Sequence, residues 1–139
     1  MKLEKTNLED CFILSPKVFE DERGTFSETF NAKNFLDQTG IAVTFVQDNQ
    51  STSKYGVVRG LHFQTGVHGQ TKLVRVVKGS ALDVVVDLRK GSPSFGKSFS
   101  IVLSGENKKQ LFVPRGFAHG FSVLEDDTVF AYKCDAYYN

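Results

Sequence analysis

The segment Lys78-Gly-Ser-Ala-Leu-Asp-Val-Val-Val-Asp-Leu-Arg-Lys90 decides the fold class of this chain. Four aliphatic side chains alternate there with Asp83, Val85 and Asp87, so that each set falls on its own face of a β-strand. Gly and Ser precede the alternating stretch, and a Gly- and Pro-containing turn (residues 90–96) follows it. A short alternating strand between turn residues is typical of an antiparallel sheet.

Most of the remaining chain has the same pattern. β-Branched and aromatic residues recur in short runs, among them residues 98–103, 110–113 and 128–133, and Gly, Asn, Asp or Ser residues separate the runs. Regular short strands joined by such turns are typical of antiparallel sandwiches and jelly-roll barrels. Because we find no internal repeat, low-complexity tract or linker, we expect one all-β domain over residues 1–139.

One segment breaks the strand pattern and predicts a short helix near residues 31–39. Asn31 has a side chain that can accept hydrogen bonds from the first free amides of a helix, and Gly40 is the residue type that often ends one. Phe35 and Leu36 supply an apolar side between these two ends. We therefore expect a helix of about two turns.

Composition excludes several classes of function. The 139 residues include 17 Lys and Arg against 16 Asp and Glu, a net charge of +1, so no strong field favours nucleic acid or an anionic membrane as partner. No stretch approaches the roughly 18 apolar residues of a membrane span, and the charged N-terminus lacks the apolar segment of a signal peptide. Cys11 and Cys134 lie far apart and indicate neither a disulfide framework nor a thiolate zinc site. We therefore expect a cytoplasmic protein.

Three polar clusters contain the residues most able to carry chemistry. Arg59 and His62 lie on either side of Gly60, which predicts a β-bulge that turns both side chains toward one cavity. Lys72 begins a strand, and His119 follows a Pro-x-Gly turn. Each of these residues also has an ordinary explanation, as an exposed Arg or Lys or as a hydrogen-bonded core His.

Two further features have both a structural and a functional explanation. Tyr132 shares strand parity with Phe130 and Cys134, so we expect it to point inward, where its hydroxyl needs a partner. The charged stretch 19–28, with a turn at Arg23, is typical of a solvated hairpin.

The three histidines of the chain limit any metal chemistry. Two sequence motifs hold the metal in the small β-barrels called cupins, and this chain resembles both of them with three departures. The Glu of the first motif is missing, since no Glu lies between Gln64 and Gly79. Gln64 stands where the first motif has its second His, and Val123 replaces the Asn of the second motif. Only two imidazoles, those of His62 and His119, remain at motif positions, whereas zinc or iron needs three or more good ligands. We therefore expect a cupin-type jelly-roll barrel without a catalytic metal.

Eight short blocks, in order along nearly the whole chain, carry a more specific resemblance. They are Asp21-Glu-Arg-Gly-Thr-Phe-Ser-Glu28, Val58-Arg-Gly-Leu-His-Phe-Gln64, Pro114-Arg-Gly-Phe-Ala-His-Gly-Phe121 and residues 44–49, 72–75, 83–89, 92–96 and 103–107. In these blocks the chain resembles the dTDP-4-dehydrorhamnose 3,5-epimerases of nucleotide-sugar metabolism. The resemblance implies an epimerase without metal or cofactor that inverts C3 and C5 of a dTDP-4-keto-6-deoxyhexose.

The resemblance also implies the catalytic residues. A hydrogen next to a ketone can be removed when a base is in position and the enolate oxygen is stabilised. His62 would be the base, Lys72 would stabilise the enolate, and Tyr132 would return a proton from the opposite face. The family's usual carboxylate partner for the base lies in a C-terminal tail that continues beyond the position of Asn139. We therefore expect Asp83 to orient His62 in its place.

The residues that the resemblance assigns to substrate binding are Arg23, Glu28, Gln47, Asp48, Asn49, Arg59, Lys72, His119 and Tyr138. Arg59 and His119 would bind the sugar-diphosphate region, and Tyr138 would stack on the thymine ring. In the family, the N-terminal arm (residues 1–30 here) reaches into the neighbouring subunit's site. This arm carries Arg23 and Glu28, so the resemblance implies a homodimer.

Three alternatives remain open at this point. An enzyme that epimerises C3 or C5 alone, or a ketoisomerase for another dTDP-deoxysugar, has similar acids and bases. A barrel that binds sugar nucleotides without catalysis is a second alternative, because the family's C-terminal tail is absent from this chain. A metal-dependent cupin is the third.

Overall fold

Antiparallel strands make up most of the computed structural model, which describes residues 1–63 and 69–137. One helix interrupts them. The elements in chain order are β1 (Lys2–Lys5), β2 (Phe12–Ser15), β3 (Val18–Asp21), β4 (Gly24–Ser27), α1 (Ala32–Thr39), β5 (Gln47–Ser53), β6 (Val58–His62), β7 (Lys72–Lys78), β8 (Ser80–Asp87), β9 (Ser98–Ser104), β10 (Gln110–Val113), β11 (Phe117–Val123) and β12 (Thr128–Cys134).

The strands form two main sheets and a separate hairpin. The larger sheet has six strands in the order β1-β2-β10-β7-β12-β5, and the smaller has four in the order β6-β11-β8-β9. Within the part of the chain that the structure describes, β3 and β4 pair with each other alone. Side chains from the inner faces of the two main sheets pack together in one core. The prediction of an all-β, jelly-roll-type fold is confirmed.

β8 shows how the alternation works. Asp83, Val85 and Asp87 are completely buried, whereas the intervening aliphatic side chains are only half-buried on the outer face. The inner face of this strand therefore carries two carboxylates. Asp87 accepts hydrogen bonds from its neighbours, Ser94 among them, and Asp83 shares one with His119.

Aromatic residues fill the space between and behind the sheets. Phe121 on β11 and Phe130 on β12 stack with ring centroids 3.9 Å apart, so this pair joins the smaller sheet to the larger one. A second cluster lies on the outer face of the larger sheet, where Phe35 of α1 is completely buried, with its ring centroid 4.7 Å from that of Phe112. β10 is consequently buried on both faces, and its sequence is apolar at consecutive positions.

The short helix is capped as its sequence predicts. Asn31 Oδ1 accepts a hydrogen bond from the Asn34 amide at 3.0 Å. Gly40 ends the helix in the left-handed region, with φ of 76°, and its amide donates to Leu36 O. Within residues 1–63 and 69–137, no helix is both long enough and apolar enough to cross a membrane.

A bulge distorts the pairing of β6 with β11. His62 is opposite His119 and Arg59 is opposite Phe121, so two residues of β6 occupy the space opposite Gly120. Gly60 has φ of +100°, and a Cβ there would lie 2.6 Å from the carbonyl oxygen of His119. Only glycine fits this close approach. The bulge predicted at Gly60 is confirmed.

Candidate active site

A cavity of about 350 Å³ lies where β6, β7, β11 and β12 approach one another. Its lining residues are His62, Phe63, Gln70, Lys72, Gly116, Phe117 and Tyr132. Three of the four residues predicted to be catalytic, His62, Lys72 and Tyr132, therefore share one cavity. They come from three strands, of which β6 and β7 are consecutive and β12 lies far along the chain.

Lys72 and Tyr132 are neighbours within this cavity. The Lys72 ammonium lies 5.4 Å from the centroid of the Tyr132 ring, over its face. Burial lowers the pKa of the Lys72 amine, while the electrostatic influence of Cys134 and Asp83 acts in the opposite direction. A partly desolvated ammonium interacts strongly with any negative charge that develops near it.

His62 lines the cavity from the smaller sheet. It is exposed and ends β6, which among the described strands pairs with β11 alone. Tyr132 belongs to the other sheet, so the imidazole and the phenol line the cavity from different sheets. In the described part of the chain, no carboxylate hydrogen-bonds to His62.

Asp83 pairs with a different histidine from the one expected. Asp83 Oδ1 and His119 Nε2 form a hydrogen bond of 2.6 Å, with Asp83 completely buried and His119 only 5% exposed. The expectation that Asp83 orients His62 is wrong because β11 lies between β6 and β8, so the inward side chain of Asp83 meets His119. Burial raises the pKa of Asp83, and the nearby His119 and Lys72 act in the opposite direction.

The predicted binding residues of β5 divide between the two faces of the strand. Gln47 and Asn49 are the cross-strand partners of Cys134 and Tyr132, so they share the inner face with the tyrosine. Asp48 projects from the outer face and forms an ion pair with Lys133 at 2.9 Å. The structure therefore does not bring Asp48 to the cavity.

Arg59 does not line the cavity that His62 lines. Its Nε and Nη2 atoms donate to Ser53 Oγ at 3.2 and 3.1 Å. The expectation that the Gly60 bulge turns both side chains into one cavity thus holds for His62 and not for Arg59.

The N-terminal hairpin carries its predicted binding residues away from this cavity. Arg23 forms an ion pair with Asp21 at 2.7 Å, and 86% of its side chain is exposed. Glu28 accepts a hydrogen bond from Asn31 at 3.1 Å. Tyr138, the predicted thymine-stacking residue, lies outside the described residues.

Sequence reasoning missed Gln70 and Phe117 in the cavity wall. Gln70 Nε2 donates to Ala136 O at 2.9 Å, which ties the end of the described chain to the cavity. The signal was spacing, since Gln70 precedes Lys72 by two residues and Phe117 precedes His119 by two.

A hydrogen-bonded network supports the same wall from behind. Asp87 accepts hydrogen bonds from Arg89, Ser92 and Ser94, and the Arg89 guanidinium lies 4.9 Å from the centroid of the Phe117 ring. Burial opposes ionisation of Asp87, but these hydrogen bonds outweigh it and hold the pKa of Asp87 well below its usual range.

Metal-binding side chains are not grouped in the described ranges, 1–63 and 69–137. There, no three His, Cys, Asp or Glu residues lie close enough together to hold a metal ion. The cavity instead offers an imidazole, an ammonium and a phenol. A jelly-roll barrel with these three groups in one cavity is a cupin-type barrel equipped for proton transfer at carbon.

Comparison with known proteins identifies the family. The family model described as dTDP-4-dehydrorhamnose 3,5-epimerase matches residues 5–139. A Shigella flexneri protein of that name is 53% identical over 139 residues, which are 100% of this chain and 77% of the relative. The crystal structure of the Elizabethkingia anophelis enzyme of that name superposes with a TM-score of 0.96 at 57% identity, over 100% of this chain and 76% of the other. The chain belongs to the dTDP-4-dehydrorhamnose 3,5-epimerase family.

A third relative was solved with a sugar nucleotide. The Legionella pneumophila enzyme, described as a dTDP-6-deoxy-D-glucose-3,5-epimerase in complex with dTDP-4-keto-L-rhamnose, is 49% identical with a TM-score of 0.94. The match covers 99% of this chain and 73% of the Legionella chain.

Proposed function

We propose that the protein inverts C3 and C5 of dTDP-4-keto-6-deoxyglucose, giving dTDP-4-keto-rhamnose for rhamnose biosynthesis. The observation that carries the proposal is the meeting of His62, Lys72 and Tyr132 in one cavity. Family membership supports it, as does the Legionella relative in complex with the keto-rhamnose nucleotide.

His62 is the base in this mechanism, and Lys72 stabilises the charge that the base creates. Imidazole is the side chain best suited to accept a proton near neutral pH. When it removes the hydrogen next to the ketone, negative charge develops on the ketone oxygen. The ammonium of Lys72 stabilises that enolate, and the low polarity around a half-buried lysine strengthens the interaction.

Tyr132 returns a proton to the carbon from the other side. His62 belongs to the four-stranded sheet and Tyr132 to the six-stranded sheet, so a sugar held between them has the base on one face and the phenol on the other. Removal from one face and return to the opposite face inverts the stereocentre. This arrangement of acid and base supports inversion rather than simple exchange.

The proposed binding residues continue the same walls. Gln47 and Asn49 share the face of Tyr132, and His119 is opposite His62 on the neighbouring strand. We assign these side chains to the sugar-diphosphate region, together with Arg59 once its hydrogen bonds to Ser53 are exchanged for ligand contacts.

Solvent exchange tests the reaction. During turnover of dTDP-4-keto-6-deoxyglucose in D₂O, we expect deuterium at both C3 and C5. His62→Ala and Tyr132→Phe should each lower turnover by at least about a hundredfold while dTDP still binds. Tyr55→Phe is the matched control, because Tyr55 is 70% exposed and does not line the cavity.

The same experiment separates the alternatives. Deuterium at one carbon alone would identify a single-site epimerase. A relative from Streptomyces bikiniensis, described as a 3'-monoepimerase, is 31% identical to this chain with a TM-score of 0.89. Binding of dTDP without exchange at either carbon would overturn the epimerase and leave a sugar-nucleotide-binding barrel.

We further propose a homodimer in which each hairpin completes the partner's site. Arg23 and Glu28 do not line their own chain's cavity, so any substrate contact they make is to another copy. The hairpin also exposes Phe19 by 54% and Phe26 by 71%, and apolar exposure of this kind favours a partner.

Mixing two inactive variants tests this exchange. Arg23→Ala and His62→Ala lie in different halves of a shared site, so a mixed dimer has one intact site. Random exchange of subunits should restore about a quarter of wild-type activity. Failure to recover activity, with dimers confirmed by light scattering, would show that Arg23 does not act in the partner's site.

The proposed compartment is the cytoplasm. Cys11 and Cys134 are both buried free thiols, as expected in a reducing compartment. The proposed substrate, a nucleotide sugar, also fits this location.

A further inference from the structure

The mechanism above leaves one buried carboxylate without a task. Asp83 is completely buried at the centre of β8, and its one side-chain partner in the described residues is His119 at 2.6 Å. Its other oxygen, Oδ2, is the only fully buried side-chain nitrogen or oxygen without a hydrogen-bond partner in residues 1–63 and 69–137. Burial of a carboxylate with one oxygen unsatisfied lowers stability, so the fold alone does not account for it.

Asp87 shows what a structural carboxylate looks like in the same strand. It lies four residues further on, on the same buried face, and both of its oxygens accept hydrogen bonds from Arg89 and neighbouring serines. Asp83, by contrast, is held by a single imidazole. The difference indicates that Asp83 acts on His119 rather than on the packing of the strand.

The two nitrogens of His119 have different surroundings. Nε2 points at Asp83, whereas Nδ1 has no partner in the described residues and is not among their fully buried atoms, so it borders accessible space. His119 is opposite the cavity-lining His62 and two residues after the cavity-lining Phe117. A ligand in this region would therefore meet Nδ1.

We propose that Asp83 is a positioning residue that keeps the proton of His119 on Nε2 and leaves Nδ1 to face the sugar nucleotide. This inference rests on the proposed binding of a dTDP-sugar by His119. A carboxylate that accepts from one ring nitrogen fixes both the orientation of the imidazole and the nitrogen that carries its proton. Burial raises the pKa of Asp83, and the nearby His119 and Lys72 act against that effect and favour the ionised carboxylate that this role requires.

NMR of ¹⁵N-labelled protein tests the proton position directly. The ring nitrogens of His119, assigned by their loss in His119→Gln, should show a protonated Nε2 at neutral pH. In Asp83→Asn the amide can donate or accept, so Nε2 should no longer be held protonated. Asp87→Asn is the matched control, because it removes a buried carboxylate from the same face without touching His119. An unprotonated Nε2 in the wild-type protein would overturn the proposal, and this result does not depend on the folding of either Asp variant.

A double-mutant cycle on dTDP affinity tests whether Asp83 acts through His119. Asp83→Asn and His119→Gln should each weaken binding about tenfold, the scale of losing a residue that orients a ligating histidine. The double variant should be no weaker than the weaker single variant, because the two side chains act as one unit. Binding of Asp83→Asn within about twofold of wild type, or a double variant weakened by the product of the two single effects, would contradict the proposal.

Neither measurement needs turnover. If the protein binds dTDP but proves not to be an epimerase, both results keep their meaning. If it does not bind dTDP, the NMR result still decides the proton position, and the proposed function fails separately.

Discussion

Replacement of Asp87 by Asn tests how strongly the wall behind the cavity is held. Asp87 Oδ1 accepts from the Arg89 amide at 2.9 Å and from Arg89 Nε at 3.0 Å. Oδ2 accepts from Arg89 Nη2 at 3.0 Å and from Ser92 and Ser94 Oγ at 2.6 Å each. In Asn the NH₂ group takes the place of one of these oxygens. That group donates hydrogen bonds and cannot accept them, so the donors that faced the lost oxygen would face another donor.

The least costly orientation of the Asn follows from exposure. Ser94 is only 3% exposed, whereas the Arg89 side chain is 25% exposed and can recover hydrogen bonds from water. The amide nitrogen should therefore face Arg89, so that two charge-assisted hydrogen bonds are lost. We expect a loss of about 3 kcal/mol in the free energy of unfolding. For a domain of this size the melting temperature should fall by about 10 °C.

Urea denaturation at one fixed protein concentration measures the effect. Asp10→Asn is the matched control, because it is the same isosteric change and Asp10 pairs with the same Arg89 at 3.2 Å, but its side chain is 48% exposed. That variant should lose less than about 1 kcal/mol. A loss below about 1 kcal/mol for Asp87→Asn would refute the reasoning.

The low pKa of Asp87 also gives the wild-type protein a pH dependence. The contribution of Asp87 to the free energy of unfolding is present above pH 3.8, the ordinary value of its pKa, and is lost as pH falls further.

Three further outcomes follow from the site. Gly60→Ala should lower the free energy of unfolding by about 2–4 kcal/mol in thermal or urea denaturation, because it adds a clash with the His119 carbonyl to backbone strain. Gly24 also has a positive φ but has open space around it, so Gly24→Ala should lower the free energy of unfolding by about 1 kcal/mol. Equal losses in the two variants would exclude the clash. Turnover should fall as pH rises through the pKa of Lys72, which lies below the ordinary 10.5, because the ammonium is the active form. In Lys72→Arg the alkaline limb of the kcat profile should move to higher pH, since a guanidinium keeps its charge there. A limb that stays in place would belong to another group. Turnover should survive prolonged dialysis against a chelator, and loss that added zinc, iron or manganese restores would favour a metal-dependent mechanism.

The features that the sequence predicts correctly are mostly local ones, in which a few neighbouring residues determine the structure. The cap at Asn31 and the bulge at Gly60 follow from backbone demands that few residue types meet. The alternation along β8 follows from strand geometry. The meeting of His62, Lys72 and Tyr132 was anticipated through the resemblance rather than through any local rule, because these residues lie on three separate strands.

The partner of Asp83 could not be predicted, because it depends on strand order. Alternation says that Asp83 points inward, but only the order β6-β11-β8 shows that His119, and not His62, lies within its reach. The sequence also does not show from which face of β5 the side chain of Asp48 projects. Every residue of β5, from Gln47 to Ser53, is polar, so no apolar face marks which side of that strand is buried.

The stacked rings of Phe121 and Phe130 act as a spacer between the halves of the barrel. They join the sheet that carries His62 to the sheet that carries Tyr132, with 3.9 Å between their centroids. In the proposed mechanism the sugar ring lies between these two sheets, so two hydrocarbon side chains that take no part in the proposed proton transfer help to set the width of that gap. Substitutions of Phe121 or Phe130 would therefore change the distance between the proposed proton acceptor, His62, and the proposed proton donor, Tyr132. Such a change would alter which sugars can react, although every polar group of the site stays the same.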